Sequence, residues 1–149
     1  MPGDPGSSAE TLPAAQNLKL ITEDAYYSSR TSLLVFEPAV SSIPEGFDDC
    51  PYWDELDISD YTCLLVRYYG KASDARAVAA ELNASGGITL KVDSLFSAED
   101  YCELTVLLFI PHEIAFEKDA SYVENANIWS RDAYERADDF DYNSIPLEE

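Results

Sequence analysis

Acidic side chains interleaved with aromatic rings are the residues of this chain whose types and spacing point most directly to chemistry. Eight acids and no base lie between Arg30 and Arg67, and the candidate binding residues in that stretch are Asp48, Asp49, Tyr52, Trp53, Asp54, Glu55 and Asp57. A second set near the end of the chain comprises Asp138, Asp139, Asp141 and Tyr142. Carboxylates spread over a rigid surface imitate the phosphates of a nucleic acid, and aromatic rings between them can replace stacked bases. Both sets are therefore candidate surfaces for a basic partner.

Catalytic and metal-binding arrangements have less support. Paired carboxylates for acid–base catalysis can be drawn anywhere in a chain with 29 acids, so their occurrence carries little information. The acids at 48–57 lack the glycine and the terminal glutamate of an EF-hand loop, and the three cysteines form no CxxC motif. A centre built from Cys102 and His112, the only histidine, is a second interpretation. The sequence predicts no metal site and no cofactor.

The net charge of −20 restricts the class of partner. A surface this acidic repels nucleic acid phosphates and anionic membranes, so direct binding of either is not expected. A basic protein, in particular a nucleic-acid-binding enzyme or regulator, would complement the charge, and a salt-rich environment would screen it. The N-terminus has no basic region followed by an apolar run, which predicts no signal peptide. Because cysteines inside predicted strands fit a reducing compartment, we expect a cytoplasmic protein.

The elements that must position these residues centre on residues 61–110. β-Branched, aromatic and aliphatic residues predict a central strand at 61–69. The helix predicted after the N-cap Ser73 has one apolar stripe, and Ser85-Gly86-Gly87 ends it; the stripe is Ala75, Val78, Ala79 and Leu82. Strands follow at 88–92 and 102–110, joined by a hairpin at 97–101. This β-α-β-β order is half of a ferredoxin-like unit.

The fold class expected from this core is α+β, a mostly antiparallel sheet with one or two covering helices. Residues 1–17, rich in Pro, Gly, Ala and Ser, are expected to be a flexible leader, and 18–149 a single domain. That domain has a strand at 31–37 beside the one at 61–69, an acidic loop at 38–60, and an acidic segment at 130–149 that begins with a helix at 130–140. The residues expected to be buried are Leu65, Val78, Leu82, Leu90, Val106 and Leu108.

Three functional hypotheses follow, and the first is adopted. It is a non-enzymatic acidic protein that blocks a basic partner, as an inhibitor, anti-defence or immunity-type protein that mimics DNA. Small acidic inhibitors of nucleic-acid enzymes, including phage anti-defence proteins and toxin immunity proteins, are similar to this chain in charge and size, although no motif matches a particular member. The second is a small enzyme with a carboxylate or Cys102/His112 centre. The third is a structural subunit that docks through a sheet edge, with the acidity of the chain reflecting a salt-rich environment. The partner's identity and the oligomeric state stay open.

Overall fold

The computed structural model describes residues 10–21, 30–44, 46–97, 100–129 and 144–148. Helical structure in these ranges is limited to α1 (Tyr52–Glu55) and two 3₁₀ turns, Ile58–Asp60 and Lys118–Ala120. The strands are β1 (Glu10–Ile21), β2 (Arg30–Phe36), β3 (Tyr61–Gly70), β4 (Ala72–Leu82), β5 (Ile88–Phe96), β6 (Tyr101–Pro111), β7 (Tyr122–Trp129) and β8 (Ser144–Glu148).

Strand β1 belongs to two sheets, which together give the strand order β2-β3-β6-β1-β8-β4-β5-β7. The part of β1 from Ala14 onward pairs with β6, and the part from Glu10 to Pro13 pairs with β8. We call β2-β3-β6-β1 the first sheet and β1-β8-β4-β5-β7 the second sheet. Every pairing is antiparallel except those of β4 with β8 and of β5 with β7. The expected mostly antiparallel sheet is confirmed.

The main core lies between the two sheets, and β6 is at its centre. Alternate residues of β6 from Cys102 to Ile110 point into this core, where they meet side chains of β4, β5 and β8. Leu107 and Phe109, between them, point to the outer face of the first sheet. A run that is apolar on both faces needs cover on both, and β6 has it, with β3 and β1 as its neighbours.

The strands predicted at 31–37, 61–69, 88–92 and 102–110 are confirmed as β2, β3, the first part of β5, and β6. β2 pairs with β3 as expected. Leu65, Leu90, Val106 and Leu108 are buried as predicted. Val78 and Leu82 are only partly buried, because the segment that carries them is not a helix.

The segment predicted to be a helix is strand β4, so the β-α-β-β core is wrong. β4 pairs with β5, and the register shifts between Ala72 and Asp74 and again between Ala77 and Ala79. A bulge inserts an extra residue into a strand, so the buried alanines of the core fall at 72, 75, 77 and 80 instead of at every second position. The bulges thus break the strict alternation that marks a half-buried strand in a sequence. Arg76 is only 2 % exposed, and its Cα partner on β5 is Asp93.

Two connections also differ from expectation. The hairpin at 97–101 does not form, because β5 and β6 are not neighbours and the connection crosses from the second sheet to the first. Ser85-Gly86-Gly87, expected to end a helix, is the turn between β4 and β5. Gly86 has φ +89°, where glycine is favoured. Asn83 Oδ1 accepts hydrogen bonds from the N–H groups of Ser85 and Gly87, which closes the turn.

Residues 10–17 are part of β1, which corrects the expectation of a flexible leader over 1–17. Leu12 and Ala14 are buried in the main core. Gln16 bonds across to β4: its Nε2 donates to the Ala77 carbonyl at 3.1 Å, and its Oε1 accepts from the Ala77 N–H at 2.9 Å. The rest of the expected leader, 1–9, and the helix expected at 130–140 lie outside the described residues.

Candidate functional site

The acidic loop, residues 38–60, packs on the outer face of the first sheet. Phe47 and Cys50 of the loop are buried in a second apolar cluster, whose members from β3 and β6 are Cys63, Leu65, Leu107 and Phe109. The loop therefore covers the side of β6 that faces away from the main core. Its aromatic residues have this covering role because the sheet face beneath them is apolar.

Aromatic rings fix the loop to this face around Phe109. The ring centroids of Tyr52, Trp53 and Tyr61 lie 5.5, 5.3 and 6.3 Å from that of Phe109, each in an edge-to-face arrangement. Such pairs contribute about 0.5–1.5 kcal/mol each beyond the area they bury. Trp53 Nε1 also donates a hydrogen bond of 2.6 Å to the carbonyl of Phe47, within the loop itself. The backbone that carries the acids is thus held in place by its neighbouring rings.

The five candidate acids of the loop face solvent. Asp48, Asp49, Asp54, Glu55 and Asp57 are all exposed, and none forms an ion pair with the part of the chain that the structure describes. Asp57 has a local role as well, because its Oδ1 accepts hydrogen bonds from the N–H and the hydroxyl of Ser59 and so begins a 3₁₀ turn. The loop therefore presents several carboxylates whose charge no base in the described ranges neutralises.

The structure gives the rings and the acids of the predicted site different positions. Tyr52 and Trp53 are half-buried against the sheet, whereas the acids around them are exposed. The rings are thus placed to hold the loop, a role that the sequence does not reveal because Phe109 is far away along the chain. The second predicted set, Asp138, Asp139, Asp141 and Tyr142, lies outside the described residues.

The centre built from Cys102 and His112 is not assembled. The two residues are ten positions apart along β6 and its end, about 33 Å in an extended strand. Burial raises the pKa of Cys102 to about 11 and that of Cys63 to about 12, so both thiols stay protonated and unreactive at neutral pH. His112 Nε2 instead lies 2.7 Å from Glu37 Oε1. Hydrogen bonds from Thr62 and His112 lower the pKa of the Glu37 carboxyl.

A polar concavity on the outer face of the first sheet was missed by the sequence reasoning. We call it the sheet pocket; it encloses about 470 Å³ and is lined chiefly by Asn17, Lys19, Gly46, Arg67, Glu103 and Thr105. Alternation along β3 indicates that Arg67 shares a face with Leu65. Which residues of β1 and β6 lie beside Arg67 depends on the strand order, which the sequence does not reveal.

Gly46 forms the loop side of the sheet pocket. Its carbonyl accepts a hydrogen bond of 2.8 Å from Asn17 Nδ2, which ties the acidic loop to β1. Gly46 has φ +93°, and a Cβ there would lie 3.2 Å from Asn17 Nδ2, so a larger residue would be strained and crowded. The pocket and the acidic loop therefore share Gly46 as a boundary.

The described residues were also compared with the requirements of a metal site and of a membrane-spanning helix, and the chain with known proteins. Within the described ranges, no three His, Cys, Asp or Glu side chains come close enough to hold a metal ion. The helices found there fall short of the length and apolar content that a helical membrane crossing requires. No protein-family model matches the chain, and neither the curated proteins nor the solved structures yield a match.

Proposed function

We propose that this protein binds and blocks a basic partner through its acidic loop. The observation that carries the proposal is the division of the loop, whose rings pack against Phe109 while its carboxylates face solvent and form no ion pair with a described residue. A nucleic-acid-binding enzyme or regulator has a basic surface of the kind that such carboxylates complement. A cytoplasmic location, where these partners work, belongs to the same proposal.

A fixed loop favours this role for two physical reasons. Charges on a backbone that is already ordered lose little conformational entropy when a partner binds, so more of the interaction energy appears as affinity. Unneutralised carboxylates also attract a basic surface before contact and raise the association rate. Salt screens this attraction over about 8 Å at physiological ionic strength, so the complex is expected to weaken as salt is raised.

Two charge-matched variants test the proposal. The loop variant combines Asp54→Asn, Glu55→Gln and Asp57→Asn; the last change keeps an oxygen for the Ser59 hydrogen bonds. The control variant removes the same three charges from exposed acids outside the loop, namely Glu113→Gln, Asp119→Asn and Glu124→Gln. Each protein is immobilised, exposed to cell lysate and eluted with a salt gradient. A partner retained by the wild type in stoichiometric amount is then purified, and its association rate is measured at two salt concentrations.

The proposal expects the wild type and the control variant to retain the same partner. The loop variant should associate roughly tenfold more slowly at low salt, and the difference should shrink at high salt, because steering is electrostatic. Nucleic acid should compete for the same partner. Absence of a stoichiometric partner, or equal slowing by both variants, would refute the role of the loop. If the loop variant differed from the wild type only in its stability at low salt, the result would instead support the hypothesis that the acidity is an adaptation to a salt-rich environment.

A further inference from the structure

Two of the chain's nine basic residues, Lys19 and Arg67, line the sheet pocket. Arg67 and Lys19 are exposed, and neither forms an ion pair with any residue that the structure describes. Glu103 is the Cα partner of Lys19, yet its Oε2 accepts a hydrogen bond of 3.2 Å from the Thr105 hydroxyl instead. Ion pairs among the described residues therefore do not account for this arginine and this lysine.

The register of the first sheet brings the two cations to the same concavity. Thr105 is the Cα partner of both Arg67 on β3 and Asn17 on β1, and Lys19 lies one row further along the same face. Two strand spacings and one row separate the Cα atoms of Arg67 and Lys19 by about 12 Å. Side chains of this length can therefore approach one bound group from opposite sides, with Asn17 and Thr105 between them.

We propose that the sheet pocket binds an oxyanion, a carboxylate or phosphate group carried by a small ligand. The planar guanidinium of Arg67 has donors that fit two oxygens of such a group at once, and the Lys19 ammonium adds a second positive charge. Glu103 reduces the net positive charge of the pocket, and its carboxylate can accept a hydrogen bond from a donor group on the same ligand. This site is separate from the proposed function of the acidic loop.

Titration with two defined probes tests the site. Inorganic phosphate and succinate represent the two sources of oxyanion, and each is titrated at constant ionic strength while backbone amide signals of the pocket residues are followed by NMR. Arg67→Gln removes the guanidinium, and Arg67→Lys keeps the positive charge without the paired donors. The second variant keeps the test valid if Arg67→Gln folds poorly. Lys118→Gln is the control, because Lys118 is an exposed lysine outside this pocket and its change alters the net charge equally.

Saturable binding of at least one probe is expected, with the largest signal changes at Asn17 and Thr105. Arg67→Gln should weaken binding about tenfold or more, as expected for loss of a charge-assisted bidentate contact, and Arg67→Lys should weaken it less. Glu103→Gln should strengthen binding, and Lys118→Gln should leave it nearly unchanged. Lack of saturation with both probes, or equal losses in Arg67→Gln and Lys118→Gln, would overturn the proposal. The loop variant retains all pocket side chains, so the two proposals can fail separately.

Discussion

Replacing Gln16 by alanine should destabilise the protein far more than its position near the N-terminus suggests. Its side-chain amide forms both hydrogen bonds of the Ala77 peptide groups, with distances of 3.1 and 2.9 Å. These bonds lie beside a bulge of β4, where the register shifts between Ala77 and Ala79. The amide of Gln16 thus takes the place of a neighbouring strand at this point of the second sheet.

The magnitude follows from the groups left behind. Ala77 is fully buried, and Gln16→Ala removes the partner of both its N–H and its carbonyl. An unsatisfied buried polar group costs about 1–3 kcal/mol. A concavity of about 190 Å³ beside Gln16 admits water to part of this region, which lowers the cost. We therefore expect a loss of about 2–4 kcal/mol in the free energy of unfolding, out of about 5–15 kcal/mol for a typical domain.

Gln16→Glu separates the hydrogen bonds from the volume of the side chain. At pH 7 the ionised carboxylate would face the Ala77 carbonyl and could not donate to it, whereas a protonated carboxyl could. Burial beside that carbonyl raises the pKa of this glutamate in the folded state. A carboxyl whose pKa is raised by folding stabilises the protein when pH is below its pKa in the unfolded state, about 4.3. This stabilisation is lost as pH rises through its pKa in the folded state. The stability gap to the wild type should therefore be small below about pH 4 and largest near neutrality.

Urea denaturation followed by tryptophan fluorescence measures these differences, with Lys19→Ala as an exposed control on the same strand. The control should cost less than about 0.5 kcal/mol. The reasoning would be refuted if Gln16→Ala cost no more than the control. It would also be refuted if the gap between Gln16→Glu and the wild type did not change with pH.

Three further experiments test the core and the loop. Leu108→Ala should cost about 2–5 kcal/mol in urea denaturation because it opens a cavity in the main core, whereas Leu34→Ala, on a side chain 53 % exposed, should cost less than about 0.5 kcal/mol. Cys63 and Cys102 should react with a thiol reagent only at the rate of global unfolding, because both are buried and their pKa values are raised to about 12 and about 11. Rapid labelling of the native protein would contradict this. Trp53→Ala should release the acidic loop and speed its cleavage by a protease. Trp53→Phe keeps a ring over the sheet and should have a smaller effect. Equal cleavage rates in the wild type and Trp53→Ala would show that the ring does not hold the loop.

Strands β2, β3 and β6 of the first sheet could be predicted from the sequence because their requirements are local. The run from Leu104 to Ile110 is apolar on both faces, so it needs cover on both sides whatever the topology. Alternation in β3 separates Cys63 and Leu65 from Leu64 and Val66, and the two pairs do belong to different clusters. The exposure of the loop carboxylates is similarly local, because an unpaired charge is costly to bury. These features need no knowledge of which strands are neighbours.

Strands β1 and β4 were decided by the tertiary structure. The alanines of β4 favour a helix by propensity, and two bulges break the alternation that would indicate a strand; pairing with β5 makes the segment a strand. Residues 10–17 resemble a leader by composition, yet β6 and β8 supply pairing partners far along the chain, as Ala14 with Leu108 and Leu12 with Ile145. The sheet pocket depends on the same pairings, since Arg67 and Lys19 meet only through Thr105 and Glu103 of β6. Strand order is set by contacts between distant residues, and the hydrogen bonds and burial that those contacts supply outweigh local preferences of less than about 1 kcal/mol per residue.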